Sequence, residues 1–271
     1  MSTFAVVVQI GWPMECLTRR RNACTLPRKA GLRRQHLYAY AGFCPCCEQN
    51  VTFSSSEEWY RDHLFCSNCQ SLVRERALAL TLNELTPNWR SLRIHESSPV
   101  DRGVSKKLRT QAPRYLASYF FPDKPFGEFV GHWRNEDLEK QTFFDETFDI
   151  VITLDVMEHV FNPARAYQEI YRTLCKGGLY IHTFPIRKWL VDGATPRAEL
   201  TPSGKVKLLV QPPEYHGSPT GECLVTYDYG YDVASQIAEW APFDVRISRF
   251  WDQRHGIIGD YNEVIVCRKP G

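Results

Sequence analysis

Four of the ten cysteines form two C-x-x-C pairs, the residue pattern in this chain that is best suited to chemistry. Cys44 pairs with Cys47, Cys66 pairs with Cys69, and eighteen residues lie between the pairs. Two such turns can direct four thiolates at one ion and close a tetrahedral shell, so the spacing predicts a structural zinc site. Buried thiols or a redox pair are the alternative. Cys46 is predicted to be a bystander, because only Cys44 and Cys47 keep the spacing of the second pair.

The charge balance argues against a protein that acts mainly on nucleic-acid phosphates. Thirty-three lysines and arginines stand against thirty-one acids, which gives a formal net charge of +2. Basic residues are concentrated in residues 1–36, for which a disordered extension and a phosphate-binding tail are the alternatives. The apolar run Phe4 to Val8 is too short to cross a bilayer and lacks the preceding charge of a secretory signal. We therefore expect a cytoplasmic protein that does not bind membranes.

After the cysteine pairs, apolar runs alternate with helical stretches. A helix is predicted over Ser71 to Leu85, ending at Thr86-Pro87. The predicted strands are Leu92–His95, Tyr115–Phe121, Phe129–Trp133, Asp149–Leu154, Leu179–Phe184, Val245–Phe250 and Glu263–Arg268. Strands that alternate with helices imply a mainly parallel sheet, so we expect a doubly wound α/β domain.

The helix before the strand at Leu179 is the best defined of the predicted helices. Asn162 can cap it, Pro163 suits its first turn, and Gly177-Gly178 is predicted to end it. Residues 185–232 are too irregular for the sheet and are interpreted as a substrate-covering insertion. The predicted organisation is a basic extension at 1–36, a zinc ribbon at 37–70, a linking helix at 71–88 and a main domain at 89–271.

The segment Phe148 to Val160, followed by Asn162-Pro163 and Gly177-Gly178, resembles the central block of class I methyltransferases, in particular the type 11-like group. These enzymes depend on S-adenosylmethionine (SAM). Strand, turn, capped helix and double glycine follow in the order that the family has. The resemblance covers about residues 89–268, and the chain is also similar to a subset of these enzymes with an N-terminal cysteine ribbon.

The resemblance implies a Rossmann-like sheet of seven strands with a reversed final hairpin, and SAM across the carboxyl ends of the strands. In this family an acid at the position of Asp137 hydrogen-bonds the adenine amino group. The residues after the fourth strand of the sheet line cofactor and acceptor. The cofactor-binding residues that it implies are Glu96, Ser98, Asp137, Leu138, Leu154, Asp155 and Val156. SAM and a structural zinc ion are the expected cofactors.

The first loop of the domain departs from the family pattern. Glu96 stands at the acid position, but Ser97, Ser98 and Pro99 replace the glycines that let the backbone approach the cofactor. After the second predicted strand, no carboxylate is available for the ribose hydroxyls until Asp123. SAM binding is therefore inferred mainly from residues 137–185.

Methyl transfer from a sulfonium depends chiefly on positioning, and an oxygen acceptor gains from a general base. His216 in the insertion is the first candidate for this base, and Asp155 is the second. The leading hypothesis is a methyltransferase for a small molecule or sugar, with an acceptor pocket lined by aromatic residues of the insertion: Trp189, Tyr215, Tyr227, Tyr229 and Tyr231. One alternative is an RNA methyltransferase that binds phosphates through the ribbon and the basic extension. The other is a catalytically inactive binding module, because the glycine loop is missing.

Overall fold

The computed structural model describes residues 37–191, 193–218 and 221–271, and the extension predicted at residues 1–36 lies outside them. In the described residues the helices are α1 (Tyr60–His63), α2 (Val73–Leu85), α3 (Gly103–Gln111), α4 (Pro163–Thr173) and α5 (Val233–Trp240). The strands are β1 (Tyr38–Cys44), β2 (Gln49–Ser55), β3 (Phe65–Cys66), β4 (Ile94–Ser97), β5 (Tyr115–Tyr119), β6 (Phe129–Val130), β7 (Trp133–Asn135), β8 (Phe148–Leu154), β9 (Leu174–Thr183), β10 (Thr195–Pro196), β11 (Ala198–Leu200), β12 (Val206–Leu208), β13 (Tyr215–Ser218), β14 (Gly221–Leu224), β15 (Tyr227–Asp228), β16 (Asp244–Ser248) and β17 (Val264–Arg268). None of these helices is both long and apolar enough to span a bilayer.

The main sheet has the strand order β16-β17-β9-β8-β4-β5-β7-β6. The five strands from β9 to β7 are parallel, and β17 runs antiparallel between β9 and β16. This arrangement is the doubly wound α/β sheet with the reversed final hairpin that the resemblance implied.

The expectation of seven strands is wrong, because the sheet has eight in the described residues. The additional strand is β6, which pairs antiparallel with β7 at the edge. The sequence pattern predicted one strand over Phe129 to Trp133. Instead, Gly131 adopts φ +64°, and the two-residue turn that it forms with His132 folds the chain back on itself.

The start of α4 agrees with the sequence prediction, and its end does not. Asn162 Oδ1 accepts a hydrogen bond of 3.1 Å from the Arg165 amide, and Pro163 occupies the first turn. The predicted glycine stop lies inside β9, because Leu174 already pairs with Phe148 of β8 and the helix has ended at Thr173.

Two apolar cores lie on opposite faces of the main sheet. Along β8, Ile150 and Ile152 belong to one core and Val151 to the other, as the alternation of side chains in a strand requires. Helices α4 and α5 cover the Val151 face. The opposite face is covered by α2, α3 and the strands that carry the cysteine pairs, so that Cys44 and Phe53 are buried in the same cluster as Ile150. Residues 37–72, called the N-terminal module below, are therefore part of the main core.

The strands of residues 185–232 stay apart from the main sheet, as the sequence prediction of an insertion requires. They form three small two-stranded sheets, β10 with β15, β11 with β12, and β13 with β14. In the described residues none of them pairs with a strand of the main sheet.

Candidate cofactor and acceptor cavity

A cavity of about 1270 Å³ lies at the carboxyl ends of the parallel strands. Ser97, Tyr119, Glu136 and Leu154, which stand at or just after the ends of β4, β5, β7 and β8, contribute to its wall. Strand order reverses beside β4, and open α/β sheets bind their ligands outside such a reversal. The volume exceeds that of common small-molecule sites, which leaves room for two ligands side by side.

Two further walls come from outside the sheet. The N-terminal module and α2 contribute Trp59, Arg61 and Arg74, and the insertion contributes Tyr215 and His216. Three parts of the chain that are distant in sequence therefore enclose one space.

Six of the seven residues predicted to bind the cofactor line this cavity: Ser98, Asp137, Leu138, Leu154, Asp155 and Val156. Ser98 adopts φ +56°, a left-handed conformation that glycine takes without strain. A serine thus follows the backbone path of the missing glycine loop, and its amide donates to the carbonyl of Ser118 at 2.8 Å.

Glu96, the seventh, is fully buried under α3 and does not line the cavity. Its carboxyl group accepts hydrogen bonds from the hydroxyls of Ser105 and Tyr115. Burial raises the pKa of Glu96 to about 7, although the two hydroxyls act in the opposite direction. This placement points to a packing role, and its role in cofactor binding stays a prediction.

Asp137 stands at the cavity wall two residues after β7. Its Oδ1 accepts a hydrogen bond of 2.8 Å from the Glu139 amide, which fixes the carboxyl group. Burial raises the pKa of Asp137 above its ordinary value. A carboxylate held by a backbone amide in this way can present its other oxygen to a donor in the cavity.

Asp155 is held by two arginines of the N-terminal half of the chain. Its Oδ2 accepts from Arg61 Nη2 and pairs with Arg74 Nε, each at 2.7 Å, and its Oδ1 accepts from Thr183 at 2.9 Å. Burial alone would raise the pKa of Asp155, but the two guanidinium groups outweigh it and lower the pKa to about 2. With both oxygens engaged, Asp155 is poorly placed to take a proton from an acceptor.

His216, the first candidate base, lies between two carboxylates. Its Nε2 is 3.2 Å from Glu214 Oε1, and its Nδ1 is 3.5 Å from Glu158 Oε1. Burial lowers the pKa of His216, but the two carboxylates outweigh this effect and raise it above its ordinary value. His159 packs edge-on against the same imidazole, with ring centroids 5.4 Å apart.

The four predicted zinc ligands converge on one point. Cys44 Sγ lies 3.7 Å from Cys69 Sγ, and Cys47 Sγ lies 3.9 Å from Cys66 Sγ. Zinc–sulfur bonds of about 2.3 Å in a tetrahedron separate the sulfurs by about 3.8 Å, so the spacing fits this ion. The Cys46 thiol lies beside this group but is not one of the four, and it donates to the carbonyl oxygen of Glu75 at 3.5 Å.

The two cysteine turns share one backbone geometry. Glu48 and Gln70, each directly after the second cysteine of its pair, both adopt φ +57°. The Glu48 amide donates to the Cys44 carbonyl at 2.8 Å, and the Gln70 amide donates to the Cys66 carbonyl at 3.1 Å. Two equivalent turns that face each other make the donor set suitable for a closed, structural metal centre.

Carboxylates outnumber cations in the wall of the cavity. The lining acids are Asp62, Asp101, Glu136, Asp137, Glu139, Asp155 and Glu214, and the lining arginines are Arg61, Arg74, Arg102 and Arg187. Each of these arginines forms an ion pair with a carboxylate, and five of the seven lining acids are in turn paired with arginines. In the described residues, Asp137 and Glu139 are the lining acids that form no ion pair. The cavity therefore favours a ligand that is neutral or positively charged over a polyphosphate.

The aromatic lining differs from the prediction. Of the insertion aromatics, Tyr215 lines the cavity, whereas Tyr229 is fully buried against Phe184 and Trp189 is largely exposed. The other aromatic side chains of the wall come from the module, the main domain and the loop before β17: Trp59, Tyr119, Phe120, Phe161 and Tyr261. The prediction that the insertion supplies the aromatic pocket is thus wrong apart from Tyr215.

Comparison with protein families gives one match. Residues 112–182, from the end of α3 to β9, match the family described as methyltransferase domain. This segment contains β5, β7 and β8 and with them the cavity residues Asp137 and Asp155. The match likens this segment, 71 of the 271 residues, to a methyltransferase domain.

Solved methyltransferase structures are similar to the chain at low identity. A SAM-dependent methyltransferase from Mesorhizobium loti is 12% identical and covers 71% of this chain and 98% of its own, with a TM-score of 0.45. A glycopeptide N-methyltransferase complexed with sinefungin is 14% identical and covers 74% and 95%, with a TM-score of 0.47. A 1,6-didemethyltoxoflavin N1-methyltransferase from Burkholderia thailandensis is 10% identical and covers 73% of this chain and 79% of its own, with a TM-score of 0.44. The comparison with curated proteins returns no match.

Sequence reasoning missed three residues of the site. Arg61 and Arg74 lie in a region that was interpreted as a separate ribbon and linker, and nothing in their spacing points to Asp155. Glu158 was passed over, although its neighbour His159 and the candidate base His216 together offer a recognisable set of metal-ligand types.

Replacing Asp155 with asparagine should destabilise the protein by about 3 kcal/mol, because the change removes the buried carboxylate that Arg61 and Arg74 share and leaves them only the more exposed Asp62. The matched control is Asp145→Asn, whose side chain is 74% exposed and pairs with Arg172, and which should cost less than about 1 kcal/mol. Denaturant unfolding of both variants gives the comparison. Equal losses of unfolding free energy in the two variants would contradict the role given to Asp155.

Replacing Glu96 with glutamine should remove part of the pH dependence of stability. Because the pKa of Glu96 rises from 4.5 in the unfolded chain to about 7 in the fold, the folded state retains a proton that the unfolded state releases. Wild-type stability should therefore fall by about 3 kcal/mol from this group as pH rises from 4.5 to 7.

Unfolding curves recorded across this pH range test the expectation for Glu96. The Glu96→Gln variant should become more stable relative to wild type as pH rises. The free energy of unfolding of Glu239→Gln, an exposed change on α5, should vary with pH in the same way as that of wild type. If the free energy of unfolding of Glu96→Gln also varied with pH as that of wild type does, the carboxyl group of Glu96 would not be buried in the way described.

Proposed function

We propose that the protein transfers a methyl group from SAM to a small polar acceptor, a small molecule or a sugar, within the cavity at the carboxyl ends of β4, β5, β7 and β8. The observation that carries the proposal is the position of Asp137, Leu138, Leu154 and Val156 on one continuous wall. Adenine would lie beside Asp137 and Leu138, and the sulfonium would lie near the residues that follow β8.

The charge of the cavity supports a SAM site. SAM carries a sulfonium and an ammonium group, and in the described residues Asp137 and Glu139 are lining carboxylates that form no ion pair, whereas the four lining arginines are all paired. The same excess of carboxylates weighs against the alternative of an RNA acceptor, because phosphates would meet like charge.

The acceptor is proposed to lie at the insertion side of the cavity, against Tyr215, His159 and His216. His216 remains the candidate base for an acceptor hydroxyl, because its imidazole lines the cavity and Asp155 is occupied by arginines. Glu214 Oε1, 3.2 Å from Nε2, would orient the ring.

The cysteine cluster is proposed to hold one structural zinc ion through Cys44, Cys47, Cys66 and Cys69. The ion would fix the two cysteine turns and, through β3 and α1, the position of Arg61 at the cavity. Thiolate ligands must remain reduced, so the proposal places the protein in a reducing compartment such as the cytoplasm.

Replacing Asp137 with alanine tests the cofactor site. The variant should bind SAM and S-adenosylhomocysteine about 1 to 3 kcal/mol more weakly than wild type, because it loses a hydrogen bond between the adenine amino group and a carboxylate. Isothermal titration measures this difference. Asp244→Ala is the matched control, since Asp244 is exposed at the start of β16 and does not line the cavity. Wild-type protein that binds neither ligand at millimolar concentration would overturn the function, and equal binding by Asp137→Ala would overturn the adenine position.

Replacing Cys66 or Cys47 with serine tests the zinc centre. After dialysis against a chelator, wild-type protein should retain one zinc ion per chain, and either variant should lose it because three thiolates leave the shell open. Metal content per chain is the measurement. Cys46→Ser should keep the zinc, since Cys46 bonds to the Glu75 carbonyl. Zinc retained by both Cys47→Ser and Cys66→Ser would contradict the assignment.

A further inference from the structure

A buried carboxylate without hydrogen-bond donors lies behind the acceptor side of the cavity. Glu158 is 2% exposed, and within the described part of the chain neither of its side-chain oxygens has a hydrogen-bond partner. Such a group costs free energy unless a positive charge or a donor reaches it. Two imidazoles approach its Oε1, that of His216 with Nδ1 at 3.5 Å and that of His159 with Nε2 at 4.0 Å.

The imidazole of His159 is oriented with its lone pair toward this carboxylate. Its Nδ1 lies 2.8 Å from the carbonyl oxygen of Leu224, and a carbonyl can only accept a hydrogen bond. Nδ1 therefore carries the proton, and Nε2, the atom that faces Glu158, offers a lone pair.

The imidazole of His216 is held in the complementary way. Its Nε2 lies 3.2 Å from the Glu214 carboxylate, which accepts the Nε2 proton, so the lone pair of the neutral ring is at Nδ1. Nδ1 is the atom that lies 3.5 Å from Glu158 Oε1. When His216 is neutral, two lone pairs and one carboxylate thus converge.

We infer that Glu158, His159 and His216 bind a divalent transition-metal cation. The three ligand atoms all lie within 4.8 Å of one another, and bonds of about 2.1 Å would draw them together by small side-chain rotations. Two histidines and one carboxylate are a known donor set for such ions, and they leave coordination positions open. Leu224 and Glu214 provide the outer contacts that fix each ring, as in established metal centres.

A protonated His216 explains the cluster less completely. A proton on Nδ1 would serve only Oε1 of Glu158, at 3.5 Å, and would leave Oε2 without a partner in the described residues. A divalent cation neutralises the whole carboxylate and uses both histidine lone pairs.

The site would act on the acceptor, and this part of the inference rests on the proposed function. His159 and His216 line the cavity whereas Glu158 lies behind them, so the open coordination positions face the acceptor. A hydroxyl oxygen bound there would lose its proton to water more readily. The oxygen would then attack the methyl carbon as the carbon–sulfur bond breaks, leaving a neutral thioether. In the cation-bound protein His216 is thus a ligand, and the cation replaces it as the activator of the acceptor.

Manganese binding in the absence of SAM and acceptor tests the cation site independently of methyl transfer. Protein with its thiolate site loaded with zinc is titrated with Mn²⁺ at pH 8, and free Mn²⁺ is followed by electron paramagnetic resonance. Mn²⁺ prefers oxygen and nitrogen ligands to thiolates, so the zinc centre does not compete for it. Wild type should bind one Mn²⁺ per chain, and Glu158→Gln and His216→Gln should each bind at least about tenfold more weakly.

The control for manganese binding is Asp101→Asn, which removes an exposed carboxylate from the opposite side of the cavity and should leave the affinity unchanged. His216→Gln provides the test if the buried Glu158→Gln change prevents folding, because His216 is only part-buried. Absence of Mn²⁺ binding to wild type at millimolar concentration, or equal binding by wild type and His216→Gln, would overturn the proposal. SAM binding by a protein that does not bind Mn²⁺ would overturn the cation site alone and leave the proposed function standing.

Discussion

The ion-pair cluster of Asp155 with Arg61 and Arg74 is the interaction on which the rest of the site depends. Asp155 follows the central strand β8 and adopts φ +53°, a conformation that a residue other than glycine keeps only when its surroundings hold it. The two arginines bond to Oδ2 at 2.7 Å each, and Thr183 bonds to Oδ1. This cluster joins the N-terminal module to the carboxyl end of the sheet. The module is therefore part of the wall of the candidate cavity.

The cysteine turns support that cluster through buried polar contacts. Arg76 of α2 is fully buried and donates to the carbonyl oxygens of Leu64 and Gly256, which ties α2 and the residue before β3 to the loop before β17. Arg61 in addition donates to the carbonyl of Tyr261 at 3.0 Å. A metal ion that fixes the turns at Cys47 and Cys66 would thus also fix the side chain that neutralises Asp155. The proposed zinc ion would in this way couple folding of the module to the shape of the cavity.

The features of the structure that could be predicted from the sequence are those that depend on residues close together in the chain. The C-x-x-C pairs, the Asn162 cap and the segment through Asp155 each depend on residues a few positions apart, and the structure brings them together as expected. The edge strand β6 was missed because a single left-handed Gly131 converts one predicted strand into a hairpin. Contacts across long separations, such as Arg61 with Asp155 or Glu158 with His216, leave no periodic trace in one sequence. These contacts form only when the fold brings distant residues together, so the sequence alone could not predict them.

A crystal structure with bound S-adenosylhomocysteine tests the central claim most directly, namely that the sheet and the N-terminal module together form one methyltransferase site. The account predicts that the adenine lies against Asp137 and Leu138 and that the sulfur points past Val156 toward His216. Arg61 and Arg74 should remain on Asp155 in the same crystal. Density for the ligand outside this cavity, or displacement of both arginines from Asp155 by the bound ligand, would contradict the account.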